Sequence, residues 1–304
     1  MERQLQIKSK IYMDTVVTLK VSTILPQEHV EEKMNKAYTF FKLIEERCSR
    51  FDPDSELKQL SGTCHEWVEV SDLLFQLLHF SLKMAEQTDG AFDPAIGSSL
   101  VAAGFHTNYL TREAVVLNER ARGADYRHIH LNRRTRSVRL TEPMDLDLGA
   151  VAKGLAIDLA ARELNGFEGF VVEAGGDLFV KGEKAEGLPW EIGIQHPFDP
   201  KSLIGMWPFE NQAICTSGGY ERKSPIQNGS HHLIDPRKQT SPREVVSVTV
   251  TGSHAMLADA VSTSIFIMGW QKGLELARST GCEAMIMTRD QHIHTSKGFG
   301  GGTK

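Results

Sequence analysis

The sequence predicts an α+β fold, with mixed and antiparallel sheets flanked by helices. Three observations carry that expectation. Strand-like and helix-like stretches follow one another without a regular βαβ rhythm. No segment of 20–50 residues repeats. No GxGxxG turn with an acidic residue ~20 positions on marks a dinucleotide-binding doubly wound sheet. The 304 residues suffice for one large domain or two closely packed lobes. No low-complexity linker separates two parts, so residues 1–297 are expected to form a single domain of two intertwined lobes. The Gly-rich stretch 298–304 is expected to be a mobile tail.

The elements are read in order. Ile11 to Val21 alternates as one strand, with Val17, Leu19 and Val21 on its apolar face. Glu28 to Arg47 places Val30, Met34, Ala37, Phe41 and Ile44 on one side of a helix. A turn follows at Ser49 to Ser55, where Pro53 and acidic residues favour it. Leu73 to Thr88 forms a second amphipathic helix, closed by Asp89-Gly90. Arg136 to Leu140 is extended. A helix from Ala150 to Leu164 is expected to bury Val151, Leu155 and Leu159. Phe170 to Val172, Trp190 to Ile194 and Val245 to Val250 read as strands. Ser253 is placed to cap a helix running through Ile267, with Gly269 ending it.

Composition removes several function classes. Apolar residues make up 40% and charged residues 24% of the chain, as in ordinary globular proteins. A net charge of −5 argues against a general nucleic-acid binder. No window approaches the ~18–20 apolar residues of a membrane span, so no stable membrane insertion is expected. Cys48, Cys64, Cys215 and Cys282 match neither a zinc knuckle nor a disulfide scaffold. The first residues lack a signal-peptide h-region, so the expected location is cytoplasmic, or exported if a leader was removed.

Six segments carry candidate chemistry. Asp259 and Thr263 lie four apart on a predicted helix, so a carboxylate and a hydroxyl share one face, as a hard cation prefers. Alone, the pair also reads as an exposed Asp and a back-bonded Thr. Asp147 to Gly154 places small residues at a strand-to-helix junction whose free N–H groups suit phosphate, with Lys153 one turn in. It also reads as a tight turn with a solvated lysine. Gly175-Gly176-Asp177 lets the chain approach something closely, or is a plain turn. Thr216 to Tyr220 reads as a polar turn with a stacking-capable aromatic. His231-His232-Leu233-Ile234-Asp235 offers a base for a hydroxyl, with the two rings on opposite faces of an extended segment. Gly90 to Pro94 is a turn whose Phe92 is either core or a wall for a ring.

In this order along one chain, the segments resemble the ApbE family of FAD:protein FMN transferases, from about Met13 to Gly269. The resemblance rests on Met13-Asp14-Thr15, Ser49-Arg50-Phe51, Ser55-Glu56-Leu57, Gly90 to Pro94, Asp147 to Gly154, Gly175-Gly176-Asp177, Thr216-Ser217-Gly218, His232 to Pro236 and Ala258 to Thr263. It implies a fold related to the T-fold, FAD as donor, and Mg²⁺. By position it implies Asp259, Thr263 and the Ala150 carbonyl as metal ligands, joined by Ser262. It implies Met13, Phe51, Ala91, Phe92, Asp93, Asp147, Lys153 and Leu233 as FAD contacts. The chain departs from the family pattern at Asp14, where Gly is usual, and at Phe51, where Tyr is frequent. Ala95, Ser61, Glu173 and Lys238-Gln239 are further departures, and none of the departures removes an implied metal ligand.

The expected reaction is attack by a Ser or Thr hydroxyl of an acceptor protein on the FMN phosphorus of FAD, with AMP leaving. Lys153 would add positive charge. His232 is the expected base, with Asp235 orienting it or substituting for it. Two rivals need overlapping residues: an FAD diphosphatase, with water as nucleophile, and a non-catalytic FAD-binding protein.

Overall fold

A computed structural model describes residues 3–107, 114 and 124–301. Its first elements in chain order are β1 (Gln4–Tyr12), β2 (Thr15–Thr23), α1 (Gln27–Cys48), α2 (Glu56–Ser61), β3 (Val68–Glu69), α3 (Asp72–Gln87) and α4 (Gly97–Ala102). Next come β4 (Ile129–Asn132), β5 (Ser137–Leu140), α5 (Gly149–Glu163), β6 (Gly169–Ala174), β7 (Asp177–Ala185), β8 (Leu188–His196) and β9 (Asp199–Phe209). The last are β10 (Gln212–Gly218), β11 (Val245–Gly252), α6 (Ala255–Met268), α7 (Trp270–Ser279), β12 (Glu283–Thr288) and β13 (Ile293–Thr295). The pairings are antiparallel, so the fold is α+β as expected. Among the described residues, no helix is long and apolar enough to cross a membrane.

The chain divides into two compact units, each assembled from separate stretches. The first comprises residues 1–42, 153–218 and 244–304. It holds a ten-stranded sheet of order β1-β2-β6-β7-β10-β11-β12-β13, with the β8–β9 hairpin branching from β7. Val17, Leu19 and Val21 of β2 have no exposure. Each such apolar side chain contributes roughly 1.5–3 kcal/mol by leaving water. Val171, Val180, Trp190, Phe209 and Ile214 form an adjoining core under β6 to β10.

The single strand expected from Ile11 to Val21 is instead a hairpin, whose turn is Met13-Asp14. Both turn residues have positive φ, 51° and 60°, as a type I′ turn requires. The Asn-Gly or Asp-Gly signature of that turn is missing from the sequence, so the alternation ran through it.

α6 packs on β10 and β11. It is apolar nearly all round, and Ala255, Ala258, Ala260, Val261, Ile265 and Phe266 are buried. Ser253 does not cap it. The Ser253 hydroxyl instead lies 2.9 Å from His254 Nδ1. Asp158 of α5 takes over, accepting the N–H groups of Ala255 (2.7 Å) and Met256 (3.0 Å). In α5 the buried residues include Val151, Ala152, Ala156, Ile157, Ala160, Ala161 and Leu164, whereas Leu155 and Leu159 are only half-buried. Small residues lie inside because α6 comes close: a Cβ on Gly154 would meet the Met256 Cα at 2.5 Å. Phe299, read as part of a mobile tail, packs edge-on against Trp207 and Phe209 at 5.8 and 6.4 Å. Residues 302–304 lie outside the described residues.

The second unit comprises residues 43–152 and 219–243. It contains α2, α3, α4 and the small sheet β3-β5-β4. Ser55 and Ser71 cap α2 and α3 through their hydroxyls. The Glu56 carboxylate ties these helices together by accepting from the backbone N–H and hydroxyl of Ser71.

Candidate functional site

In the first unit, one end of the large sheet gathers the β1–β2 turn, the β6–β7 turn and the last residues of β10. Gly175 and Gly176 form the β6–β7 turn with φ of 59° and 91°. A Cβ on Gly175 would lie 2.7 Å from the Thr15 hydroxyl, so glycine lets this turn pack beside the one carrying Met13.

Asp177 follows the glycine turn and is 3% exposed. One of its oxygens accepts the backbone N–H of Thr216 at 2.8 Å. The other pairs with the Lys153 ammonium. Lys153 Nζ also donates to Asp259 Oδ2 at 3.2 Å. One ammonium is therefore shared by two buried carboxylates. The set carries a net negative charge that a second cation would relieve.

Hydroxyls from β10 and α6 adjoin it. Ser262 Oγ donates to the Asp259 carbonyl at 2.9 Å, which uses its only proton. Ser217 Oγ, 2.8 Å away, must then be the donor in the Ser217–Ser262 pair. Thr263 Oγ1 in turn donates to Ser217 Oγ across 3.3 Å. The relay leaves the Thr263 lone pairs free to accept or to ligate. Ser262, fully buried and back-bonded, supports this relay, whereas Thr263 is half-buried and lies one helical turn after Asp259. Thr216 to Gly218, read from sequence as a turn, belong to β10, and this places Ser217 opposite α6. Cys215 is fully buried and donates weakly to the Ala255 carbonyl. Burial pushes its thiol well above the ordinary range, so it does not act as a nucleophile.

The second unit holds the remaining residues singled out by sequence. Asp147 lies in a loop that follows Leu140, so the junction into α5 is loop-to-helix rather than strand-to-helix. Its Oδ1 accepts the Gly149 N–H at 2.8 Å, and its Oδ2 pairs with Arg50 at 2.8 Å. Arg50 lies over the half-buried Phe51 ring at 4.4 Å and donates to the Phe105 carbonyl. Ala150 sits in the first turn of α5. Ala91, Phe92 and Leu233 are buried. Asp93 accepts the N–H groups of Ala95 (2.8 Å) and Tyr126 (3.2 Å). Burial raises its carboxyl to about 6, against the opposing pull of those bonds. A cleft of about 360 Å³ beside it is lined by Ser99, Tyr126, Pro236, Arg237 and Gln239.

His232 Nδ1 lies 3.3 Å from the Arg222 carbonyl, so a protonated Nδ1 donates to that oxygen. Asp235 is committed elsewhere. Arg237 binds both its oxygens at 2.8 and 3.0 Å, and its carboxyl sits below the usual range despite burial. A carboxylate so held is a poor proton acceptor.

The structure thus brings together Lys153, Asp259, Ser262 and Thr263. It adds Asp177 and Ser217, neither of which sequence reasoning had given a role. The Asp directly after a Gly-Gly turn was the available signal for the first. For Ser217 the signal was the Thr216-Ser217-Gly218 segment, whose strand was read as a turn.

On this α+β scaffold, two buried carboxylates, three hydroxyls and a lysine gather beside a glycine turn. The ApbE family model matches residues 13–286, and the chain belongs to that family. It is 33% identical over 232 residues to the FAD:protein FMN transferase of Rhodobacter capsulatus, a match covering 73% of this chain and 43% of that relative. The chain spans less than half of that relative's length. It is 30% identical to the FAD:protein FMN transferase of Vibrio cholerae serotype O1, covering 84% of this chain and 78% of that one. The crystal structure of the ApbE protein from Thermotoga maritima superposes with a TM-score of 0.85 at 30% identity, covering 97% of this chain and 98% of that one.

Proposed function

We propose that this chain is a transferase that moves the FMN half of FAD onto a Ser or Thr hydroxyl of an acceptor flavoprotein, releasing AMP. Family membership and the names of the curated relatives support transfer of FMN from FAD to protein. The observation that carries the chemistry is the Lys153 ammonium held between Asp177 and Asp259 beside the Thr263 hydroxyl.

The donor set fits Mg²⁺, which takes one or two protein oxygens and completes its shell with phosphate and water. Asp259 and Thr263 would hold it, and bound there it would supply neutralisation of diphosphate charge. Lys153 contributes a fixed positive charge for the same oxygens. The acceptor hydroxyl oxygen forms a bond to the FMN phosphorus, and the bond from that phosphorus to the AMP oxygen breaks. The electron pair leaves with AMP. His232 takes the hydroxyl proton. Met13, Phe51, Ala91, Phe92, Asp93, Asp147 and Leu233 are the proposed FAD contacts.

The test mixes the protein with FAD, Mg²⁺ and a candidate acceptor domain and reads the acceptor's intact mass, with and without EDTA. A Mg²⁺-dependent gain of one FMN less water supports the proposal. Free FMN and AMP without an adduct would replace it with FAD hydrolysis.

A further inference from the structure

We infer that Asp177 is a positioning residue that parks Lys153 against Asp259, so that the lysine acts as an internal cation competing with the divalent metal. The inference rests on the proposed cation site at Asp259. Its basis is the geometry of one ammonium and two carboxylates. Asp177 is nearly fully buried and is anchored from the other side by the Thr216 N–H, so its carboxylate has a fixed direction. Lys153 follows that direction and arrives 3.2 Å from Asp259 Oδ2.

Two carboxylates buried this close repel unless a cation lies between them. Lys153 meets that need without metal. A divalent cation binding at Asp259 must displace the ammonium from that oxygen. Asp177 keeps hold of the lysine as it withdraws. The arrangement predicts opposite effects from the two partners. Removing Lys153 removes the competitor and tightens metal binding. Removing Asp177 leaves the ammonium with Asp259 alone and weakens it.

The experiment is titration of the protein with Mn²⁺ alone, followed by the electron paramagnetic resonance signal of free Mn²⁺, with circular dichroism as a fold control. Lys153→Gln should bind Mn²⁺ about tenfold more tightly than wild type, and Lys153→Arg should return to the wild-type affinity. Asp177→Asn should bind about tenfold more weakly. In the Lys153→Gln background, the same Asp177→Asn change should cost several-fold less, because Asp177 acts through the lysine. An equal Asp177→Asn penalty in both backgrounds, or no tightening in Lys153→Gln, would overturn the inference while leaving the metal site standing. Absence of Mn²⁺ binding in all of these proteins would overturn the metal site itself, and the inference with it.

Discussion

Gly154 is where the site depends most directly on a missing side chain. A Cβ there would sit 2.5 Å from the Met256 Cα and 2.6 Å from the Ala255 carbonyl carbon and oxygen. These are backbone atoms of α6, so no rotamer change can make room. Ordinary contact needs about 3.4 Å or more, so Gly154→Ala must push the start of α6 away from α5 by roughly 0.9 Å. Overpacking of this kind costs about 1–3 kcal/mol, offset by the ~0.8–1 kcal/mol that Ala gains over Gly within a helix. The expected net change is a destabilisation of up to about 2 kcal/mol, read from the urea midpoint. Function should suffer more. Lys153 on α5 and Asp259 on α6 are 3.2 Å apart, and a displacement near 1 Å between a charge and its partner can cost about 100-fold in rate. The assay is the initial rate of acceptor flavinylation. A variant as stable as wild type, with an unchanged rate, would refute the argument that this helix contact sets the Lys153–Asp259 geometry.

Two further outcomes follow from single carboxylates. Asp158→Ala strands the first two N–H groups of α6 and should cost about 2 kcal/mol by chemical denaturation; an unchanged midpoint would mean that those groups are capped in another way. Asp93 has its carboxyl raised from 3.8 to about 6, so the native state binds a proton that the unfolded state has lost. Its contribution is fully present below pH 3.8 and is lost as pH rises through about 6, a change of about 3 kcal/mol. Asp93→Asn should flatten that part of the stability–pH curve, and an identical slope in both proteins would count against the burial argument.

The parts of the fold that were legible in sequence were those in which one periodic stripe meets one core. Val30, Met34, Ala37, Phe41 and Ile44 are all buried, as their helical spacing requires. α5 misled because its large residues are not its inner ones. Where two helices approach backbone to backbone, Ala and Gly occupy the contact, and Leu155 and Leu159 move to the side. The first hairpin was hidden because Met13 and Asp14 adopt a turn conformation that their residue types do not announce. The pairing of Asp259 with Thr263 on one helix face was legible because helix geometry alone puts them together. The lysine that reaches Asp259 lies 106 residues earlier, and only the tertiary packing of α5, β7 and α6 joins them. The same holds for the capping of α6 by Asp158. Nothing local to Ala255 signals a carboxylate 97 residues away.

Asp259→Ala puts the central claim to its most direct test. Flavinylation of an acceptor domain is followed by intact mass at saturating FAD and Mg²⁺, with circular dichroism confirming the fold. The account predicts a folded protein that adds no FMN to the acceptor, since the variant loses the carboxylate proposed to hold the metal and one of the two that fix Lys153. A folded Asp259→Ala protein that flavinylates at the wild-type rate would contradict it.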